Sequence, residues 1–350
     1  MKPLQGIRVV EFEGIGPGPL AGRFLADMGA SVTVITRPTP GAVHQRMDTG
    51  VENPLRQGKS VVVLDLKQAA DHARAVDMVV ASDVLIEGNR PGVMEKLDLG
   101  PAVFASSNPQ LVYGRMTGWG QSGPLSAAAG HDLNYVALSG ILSLSANRGE
   151  LPILPPTVVG DAVGALGLAF GIVSALHGVK ERGEGCVIDG AIVDIVSMLG
   201  MLMQWIRAAG QIDGPEPSLF HDSPFYSVYA CADGGRITLG AIEPQFYALL
   251  LNKLGITNVD PQAQYDRSTW PQLRARFGAL FATRPRAHWC ELLEGTDVCF
   301  APVLSVAEAA VHPHNVARGT FKMLDTGAIE VTPAPRLTPL VGQIYAGAPR

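Results

Sequence analysis

The sequence predicts an α/β protein in which a large first domain, built on a parallel, doubly wound sheet, is followed by a smaller α+β domain. The opening stretch is typical of a strand, a glycine-rich turn, a helix and a second strand. Further strand-like and helix-like runs then alternate, as they do in parallel sheets covered by helices on both faces. After residue 222 the pattern changes to a hairpin followed by helices.

The elements of the first domain can be placed in order. A strand precedes Glu11, a helix is expected over 20–28 and a second strand over 31–36. Further strands are predicted at 60–64, 78–86 and 111–115, with helices between them at 68–75 and 92–97. The apolar stretch 158–179 has nearly bilayer-spanning length. Because no second such stretch exists, we expect a buried helix, which the small residues Gly164, Gly167 and Gly171 would let pack closely.

The second domain is expected to open with a hairpin at 223–241, since aromatic residues alternate there around an Asp233-Gly234 turn. Helices follow near 245–254 and 270–281. The predicted boundaries are 1–185 for the large domain, 186–221 for a helical linker, 222–315 for the small domain and 316–350 for a C-terminal segment returning to the large domain. The proline-rich end of that segment suits a strap over a surface.

Composition narrows the class of protein. The 350 residues include 27 basic and 32 acidic side chains, a net charge of -5, so the chain carries no overall basic field for nucleic acid. The four cysteines form no CxxC pair, which predicts neither a disulfide framework nor a structural metal and favours a reducing compartment. No apolar leader precedes the first acidic residues, so we expect a cytoplasmic protein with no membrane partner.

The glycine-rich turn raises the question of a nicotinamide site. Gly16-x-Gly18-x-x-Ala21 matches a permitted variant of the dinucleotide fingerprint. Two observations argue against it: Pro17 and Pro19 remove backbone donors from the turn, and Arg37 follows the second strand where an acidic residue would bind ribose. Arginine there favours a phosphate, although a solvated arginine fits the motif as well.

Three further stretches contain residues suited to chemistry. His131 and Asp132 stand at a predicted helix start in GHDLNYVALSG, where backbone N–H groups are free for an anion, although a capping histidine explains the pattern equally. Asp161, at the head of the apolar helix, suits an N-cap, but apolar surroundings should raise the pKa of its carboxyl. Glu243 directly precedes Pro244 at a predicted helix start. The favourable interaction of a glutamate with the helix dipole is enough to explain its presence there.

Together, GHDxNYxALSG at 130–140, the Gly-Asp step at 160–161 and GAIEPQFY at 240–247 closely resemble the α-methylacyl-CoA racemases of the type III (family III) CoA-transferase superfamily. Stretches such as GKSVVVLDLK, EGNRPGVMEKLDLGP and RMTGWGQSGP extend the resemblance over nearly the whole chain. It implies a Rossmann-like large domain, a smaller second domain and an interlocked homodimer, with each active site shared between two chains. It also implies an acyl-CoA thioester as substrate, with coenzyme A as part of that substrate and no separate cofactor or metal.

The resemblance also assigns residues. Arg37, Arg90 and Lys59 are expected to bind phosphates of coenzyme A, and Tyr135 is expected to be a further contact. Lys59 departs from the pattern, because this chain has RQGKS where relatives commonly have a more basic stretch. His131, oriented by Glu243, is expected to be the base for one enantiomer and Asp161 the base for the other. We further expect the backbone N–H of Asp132 to face the thioester oxygen.

Inversion at an α-carbon requires a proton-transfer group on each face, which His131 and Asp161 would supply. The alternative is a CoA-transferase of the same superfamily, in which Asp161 forms a mixed anhydride with the acyl group. Such an enzyme needs no second proton-transfer group, so the presence of His131 and Glu243 favours a racemase. Met198, Met201 and Met203 are candidates for an adaptable acyl surface, and ordinary helix packing explains them equally well.

Overall fold

A computed structural model of the protein describes residues 1–41, 45, 53–146, 149–324 and 327–339. These residues form two compact units. The first comprises the described residues of 1–143 and 153–200 together with 333–339, and the second comprises the described residues of 144–152 and 201–332.

A parallel six-stranded sheet forms the centre of the first unit. In space the strands follow the order β3-β2-β1-β4-β5-β6, so the chain reverses direction across the sheet between β1 and β4. This order confirms the predicted Rossmann-like class. The strands are β1 (Arg8–Phe12), β2 (Ser31–Thr36), β3 (Ser60–Val63), β4 (Val84–Glu87), β5 (Val112–Thr117) and β6 (Cys186–Ala191).

Helices cover both faces of the sheet, because successive strand residues point to opposite sides. Val9 packs into a core with Leu25 and Leu168, whereas its neighbour Val10 packs into a second core with Val79. The helices of this unit are α1 (Pro17–Asp27), α2 (Ala69–Val80), α3 (Val93–Lys96), α4 (Pro101–Phe104), α5 (Asp132–Leu138), α6 (Val163–Arg182) and α7 (Ile192–Leu199).

The long apolar helix α6 is the one helix in the described part of the chain with the length and hydropathy of a membrane span. One face of it is buried against the sheet through residues that include Leu168 and Ile172. Its glycines allow close contact, since a Cβ at Gly164 would lie 2.8 Å from Ile192 Cγ1. The helix therefore packs one face into the core of this unit, but it is not buried all round as predicted, since Leu166 and Phe170 are exposed.

The second unit is an antiparallel three-stranded sheet with helices against one face. The predicted hairpin is confirmed as β7 and β8, and β9 completes the sheet. Its core is rich in aromatic rings, with Trp270 and Phe277 almost fully buried. The elements are α8 (Met201–Ala208), β7 (Tyr226–Ala230), β8 (Arg236–Gly240), α9 (Pro244–Lys253), α10 (Trp270–Phe281), α11 (Arg286–Leu293), β9 (Phe300–Val303), α12 (Val306–Val311), α13 (Pro313–Arg318), β10 (Phe321–Met323) and β11 (Ile329–Val331).

Two sequence predictions differ from the structure. The strand expected at 78–86 begins only at Val84, because Met78, Val79 and Val80 complete helix α2. The range 186–221, expected to be a helical linker, begins instead with strand β6, whose pairing with β5 makes it part of the first unit.

The C-terminal segment contacts the start of the chain, since the amino group of Met1 donates to the carbonyl of Leu337. The predicted strap continues into residues 340–350, which lie outside the described residues.

Candidate active site

The main candidate site is a cleft of about 580 Å³ in the first unit, at the carboxyl ends of β1 and β4. In a doubly wound sheet this is where the strand order reverses, and ligands bind there because the adjoining loops diverge. Residues 12–14, at the end of β1, and 87–91, at the end of β4, line the cleft. The cleft is also lined by five of the residues predicted from the sequence to bind the substrate or act in catalysis, namely Arg37, Arg90, His131, Tyr135 and Asp161.

His131 and Asp132 open the short helix α5, as predicted. His131 is the extended residue before the helix and is exposed, and its backbone N–H donates to Asn134 Oδ1 at 3.0 Å. Asp132 is the first helical residue and is buried. The side chain of His131 is therefore placed at the cleft, while the adjacent carboxylate points into the protein.

Asp161 lies in a π-helical turn, Val158–Ala162, that leads into α6. Its backbone N–H, and that of Gly160, both donate to Asp132 Oδ1, at 2.7 and 2.8 Å. The pKa of the Asp161 carboxyl is raised to about 6, first by burial and second by the charge of Asp132, while His131 opposes the shift. This carboxyl can therefore hold or release a proton near neutral pH.

The glycine-rich turn contributes to this cleft in a way that argues against a dinucleotide. Gly16 has a φ of 72°, and a Cβ on it would lie 3.3 Å from Asp161 Oδ2. The carboxyl of Asp161 therefore lies where the fingerprint would place a pyrophosphate, and like charges would repel there. Helix α1 begins at Pro17, so two of its first three residues lack an N–H donor.

The arginines at the cleft are exposed and only lightly paired. Arg37 follows β2, and its Nε lies 3.4 Å from Glu13 Oε2. Arg56 binds the other oxygen of Glu13 at 2.7 Å. Arg90 is exposed in the loop after β4. Both Arg37 and Arg90 can therefore offer guanidinium donors to an anionic ligand.

Lys59 does not line the cleft. Its side chain is completely buried, and Nζ donates to Glu11 Oε2 at 2.6 Å and to the carbonyl oxygen of Pro19 at 2.7 Å. The ammonium group thus faces the interior beneath the glycine-rich turn and is not available to a phosphate. A lysine before a strand gives no sign in the sequence of such a partner, because Glu11 lies 48 positions away.

Tyr135 forms part of the cleft wall through its ring. Its hydroxyl donates to the carbonyl of Gly130, and the ring meets Trp119 edge to face with centroids 4.7 Å apart. Gly118 makes room for the ring, since a Cβ there would lie 2.0 Å from it. Burial raises the pKa of the Tyr135 hydroxyl. Trp119 was not singled out from the sequence, although it stands in the quoted stretch RMTGWGQSGP.

Glu243 belongs to the second unit, where it is the exposed residue directly before α9. It makes no ion pair with another residue of the described chain. Its charge raises the pKa of the Tyr265 hydroxyl and of the Cys299 thiol, although burial is the larger cause for both groups. Among the described residues no group of three His, Cys, Asp or Glu side chains is placed to hold a metal ion.

These features agree with the relationship that sequence comparison establishes. The profile of CoA-transferase family III matches residues 4–350, so the chain belongs to that family. The mouse alpha-methylacyl-CoA racemase is 40% identical over 98% of this chain and 87% of its own length. The acetyl-CoA:oxalate CoA-transferase of Acetobacter aceti is 30% identical over 90% of this chain and 84% of its own.

A solved structure extends the likeness to the fold. The crystal structure of Rv3272 from M. tuberculosis superposes with a TM-score of 0.78 at 26% identity, covering 96% of this chain and 93% of that one. The predicted class of fold and the resemblance to this family are thereby confirmed.

Proposed function

We propose that this protein is a racemase that interconverts (2R)- and (2S)-2-methylacyl-CoA thioesters by removing the α-proton on one face and returning a proton on the other. One observation carries the proposal: His131 and Asp161 line the same cleft, and the pKa of Asp161 is raised to about 6. A carboxyl with that pKa can serve as acid or base near neutral pH. The 40% identity to a mammalian racemase supports the same reaction.

The two groups share one mobile proton in this mechanism. When His131 is neutral and Asp161 protonated, the imidazole removes the α-proton, an enolate forms, and the carboxyl protonates the opposite face. The products are then protonated His131 and ionised Asp161, which is the form that turns over the other enantiomer. Both starting forms contain the same number of protons, so both directions should follow one bell-shaped pH profile.

Coenzyme A is proposed to bind as part of the substrate, with no further cofactor. The exposed guanidinium groups of Arg37 and Arg90 would bind its phosphates, and the ring of Tyr135 would contact the bound thioester. Lys59 is left out of this set because its ammonium group is buried against Glu11. The substrate chemistry involves no nucleic acid or membrane, and the four free thiols suit a cytoplasmic location.

The N–H of Asp132 is proposed to donate to the thioester oxygen as it becomes an enolate. It belongs to the first helical residue, whose N–H has no acceptor within the helix. Asp132→Pro removes this donor at a position where proline fits a helix, but it also removes the carboxylate. Asp132→Ala keeps the donor, so any further loss of turnover in the proline variant measures the N–H, roughly 3 kcal/mol for such a donor.

A homodimer with shared sites is part of the proposal. Glu243 would then orient His131 of the partner subunit, which agrees with the exposure of Glu243 and its lack of an ion pair among the described residues. Large apolar side chains are also exposed in numbers that suit an interface or an acyl surface. They include Leu166, Phe170, Met198, Met201, Leu202 and Trp205. Sedimentation showing a fully active monomer would contradict the shared site.

The second candidate function is a CoA-transferase, supported by the family profile and by the Acetobacter relative. In that reaction the carboxylate of Asp161 attacks the thioester carbonyl, forming an anhydride and releasing coenzyme A as thiolate. The acceptor carboxylate then attacks the Asp161 carbonyl of the anhydride, releasing the donor carboxylate and forming an anhydride with the acceptor. Finally the thiolate attacks the acceptor acyl carbonyl, which forms the new acyl-CoA and regenerates the Asp161 carboxylate. His131 has no required part in these steps.

One experiment separates the two functions. A single enantiomer of a 2-methylacyl-CoA is incubated with enzyme in D₂O and followed by proton NMR and chiral analysis, for the native chain and for His131→Ala and Asp161→Ala. We expect loss of the α-proton signal with formation of the other enantiomer, and neither in the two variants. His314→Ala, which changes an exposed histidine in the second unit, serves as the matched control.

Retention of racemisation in either catalytic variant would refute the two-base mechanism. Transfer of coenzyme A to an added carboxylic acid, dependent on Asp161 but not on His131, would instead identify the transferase.

A further inference from the structure

The carboxylate of Asp132 makes a contact that the proposed reaction does not use. Its Oδ1 accepts hydrogen bonds from the backbone N–H groups of Gly160 and Asp161, at 2.8 and 2.7 Å, across 28 and 29 positions of sequence. We propose that Asp132 is a positioning residue whose carboxylate fixes the turn that carries Asp161, and so sets the place of Asp161 relative to His131. The inference rests on the proposed function for the roles of those two side chains.

The turn at 158–162 needs an acceptor from outside itself. The first N–H groups of a helical segment have no acceptor within the segment, and an orphaned buried donor costs free energy. Thr157, directly before the turn, has a φ of 62°, an uncommon conformation for a β-branched residue. The turn is therefore irregular backbone, and the carboxylate of Asp132 is what holds two of its donors.

Space around the turn agrees with this role. A Cβ at Gly160 would lie 2.4 Å from Asp132 Oδ1, so only glycine there allows the carboxylate to reach the backbone. On the other side, a Cβ at Gly16 would lie 3.3 Å from Asp161 Oδ2. The segment carrying Asp161 is thus enclosed between Asp132 and the glycine-rich turn.

The consequence for catalysis follows from chain connectivity. His131 and Asp132 are consecutive, so the residue that holds the turn is joined by one peptide bond to the other proton-transfer group. Two-base chemistry requires both groups at fixed places on opposite sides of one carbon atom, and a displacement of about 1 Å can cost about 100-fold in rate. The dipeptide His131-Asp132 therefore determines where both proton-transfer groups, His131 and Asp161, lie relative to each other.

The charge of Asp132 also acts on the pair. The titratable groups that influence Asp161 are Asp132 and His131, and Tyr135 in turn is influenced by Asp161 and Arg90. After burial, Asp132 is the second cause of the raised pKa of Asp161. A neutral acceptor at position 132 should keep the hydrogen bonds to the turn and lower the pKa of Asp161. Such a variant therefore distinguishes the effect of Asp132 on the position of Asp161 from its effect on the acidity of Asp161.

The test compares two variants. Asp132→Ala removes the acceptor, whereas Asp132→Asn keeps an acceptor oxygen and removes the charge. Hydrogen exchange of peptides spanning 157–165 is followed by mass spectrometry, together with kcat, KM and the pH profile of racemisation. Asp233→Ala is the matched control, because the Asp233 carboxylate likewise accepts from two backbone N–H groups, those of Gly235 and Arg286, in the second unit.

For Asp132→Ala we expect faster exchange in 157–165 and a fall in kcat of about 100-fold, with KM for the acyl-CoA changed less than about threefold. For Asp132→Asn we expect native exchange, substantial kcat, and a bell-shaped profile moved to lower pH by about one unit. Asp233→Ala should leave all of these unchanged.

Unchanged exchange in 157–165, or an unchanged kcat, in Asp132→Ala would overturn the inference. If Asp132→Ala fails to fold, Gly160→Ala decides by the same exchange measurement, because its Cβ would lie 2.4 Å from Asp132 Oδ1 and displace the carboxylate from the turn. If the native chain catalyses no racemisation while exchange changes as expected, the turn is held as inferred and only the proposed reaction is wrong.

Discussion

Replacing Lys59 with methionine tests whether the buried ion pair beneath the glycine-rich turn is structural. Lys59 and Glu11 have exposed side-chain fractions of 0% and 2%, and their charged atoms lie 2.6 Å apart. The pKa of Glu11 is raised to about 7 and the pKa of Lys59 is lowered, because burial outweighs the attraction between the two groups in both cases. Each charge therefore depends on the other, and removing one leaves its partner buried alone.

The expected loss follows from that geometry. Breaking a buried pair by removing one partner costs about 3–5 kcal/mol, because the remaining charge has neither water nor counterion. The carbonyl of Pro19 also loses its donor. Glu11 can escape part of the penalty by taking up a proton, so we expect about 3 kcal/mol at pH 7. Against a typical stability of about 5–15 kcal/mol this is a large fraction.

The variant should also have a characteristic pH dependence. Without Lys59, the pKa of Glu11 in the folded protein lies above about 7, whereas in the unfolded chain it lies near 4.5. The folded state then binds more protons than the unfolded state between these values, so stability falls as pH rises through that window. We expect Lys59→Met to be less stable at pH 8 than at pH 6.

The assay is urea-induced unfolding followed by circular dichroism at pH 6, 7 and 8. Lys253→Met, which changes an exposed lysine, is the control and should stay within about 0.5 kcal/mol of the native chain. The double variant Glu11→Gln/Lys59→Met carries no buried charge and should recover most of the loss. A cost below about 1 kcal/mol for Lys59→Met, or a double variant no better than the single one, would refute the reasoning. A raised KM for acyl-CoA with native stability would instead return Lys59 to the phosphate-binding set.

Other substitutions test the cleft and its support. Gly16→Ala should lower stability by about 1–2 kcal/mol in urea unfolding, because alanine is strained at a φ of 72°, and should lower kcat, because the added Cβ reaches Asp161. Arg90→Ala should raise KM for acyl-CoA several-fold with little effect on kcat, since it removes a contact made in ground and transition states alike. Arg115→Met should destabilise by about 3 kcal/mol in the same unfolding assay, because Glu87, bound to Arg115 Nε at 2.9 Å and fully buried, loses its cation.

The sequence predicted strands correctly where the local residue pattern fits a strand and does not fit a helix. Strand β2 and the hairpin of the second unit lie where alternation and the Asp-Gly turn placed them. The run Met78–Val80 fits a strand as well as a helix, because a short apolar run has no period of its own. Only its packing against the sheet shows that it ends α2. Strand β9 was missed for a related reason: it contains Pro302, which the sheet tolerates because this strand pairs on one side only.

The candidate site shows where sequence reasoning stops. The start of α5 was predictable, because capping and helix periodicity act within a few residues. The acceptor for the Asp161 turn is Asp132, and the partner of Lys59 is Glu11, and both contacts join residues that only the β-α-β topology brings together. Composition near Asp161 indicates a raised pKa, but it cannot reveal that a second carboxylate adds to the shift while binding the same backbone. One aspartate thus ties the acidity of Asp161 to its position, and the Asn and Ala variants at position 132 are needed together because neither alone separates the two effects.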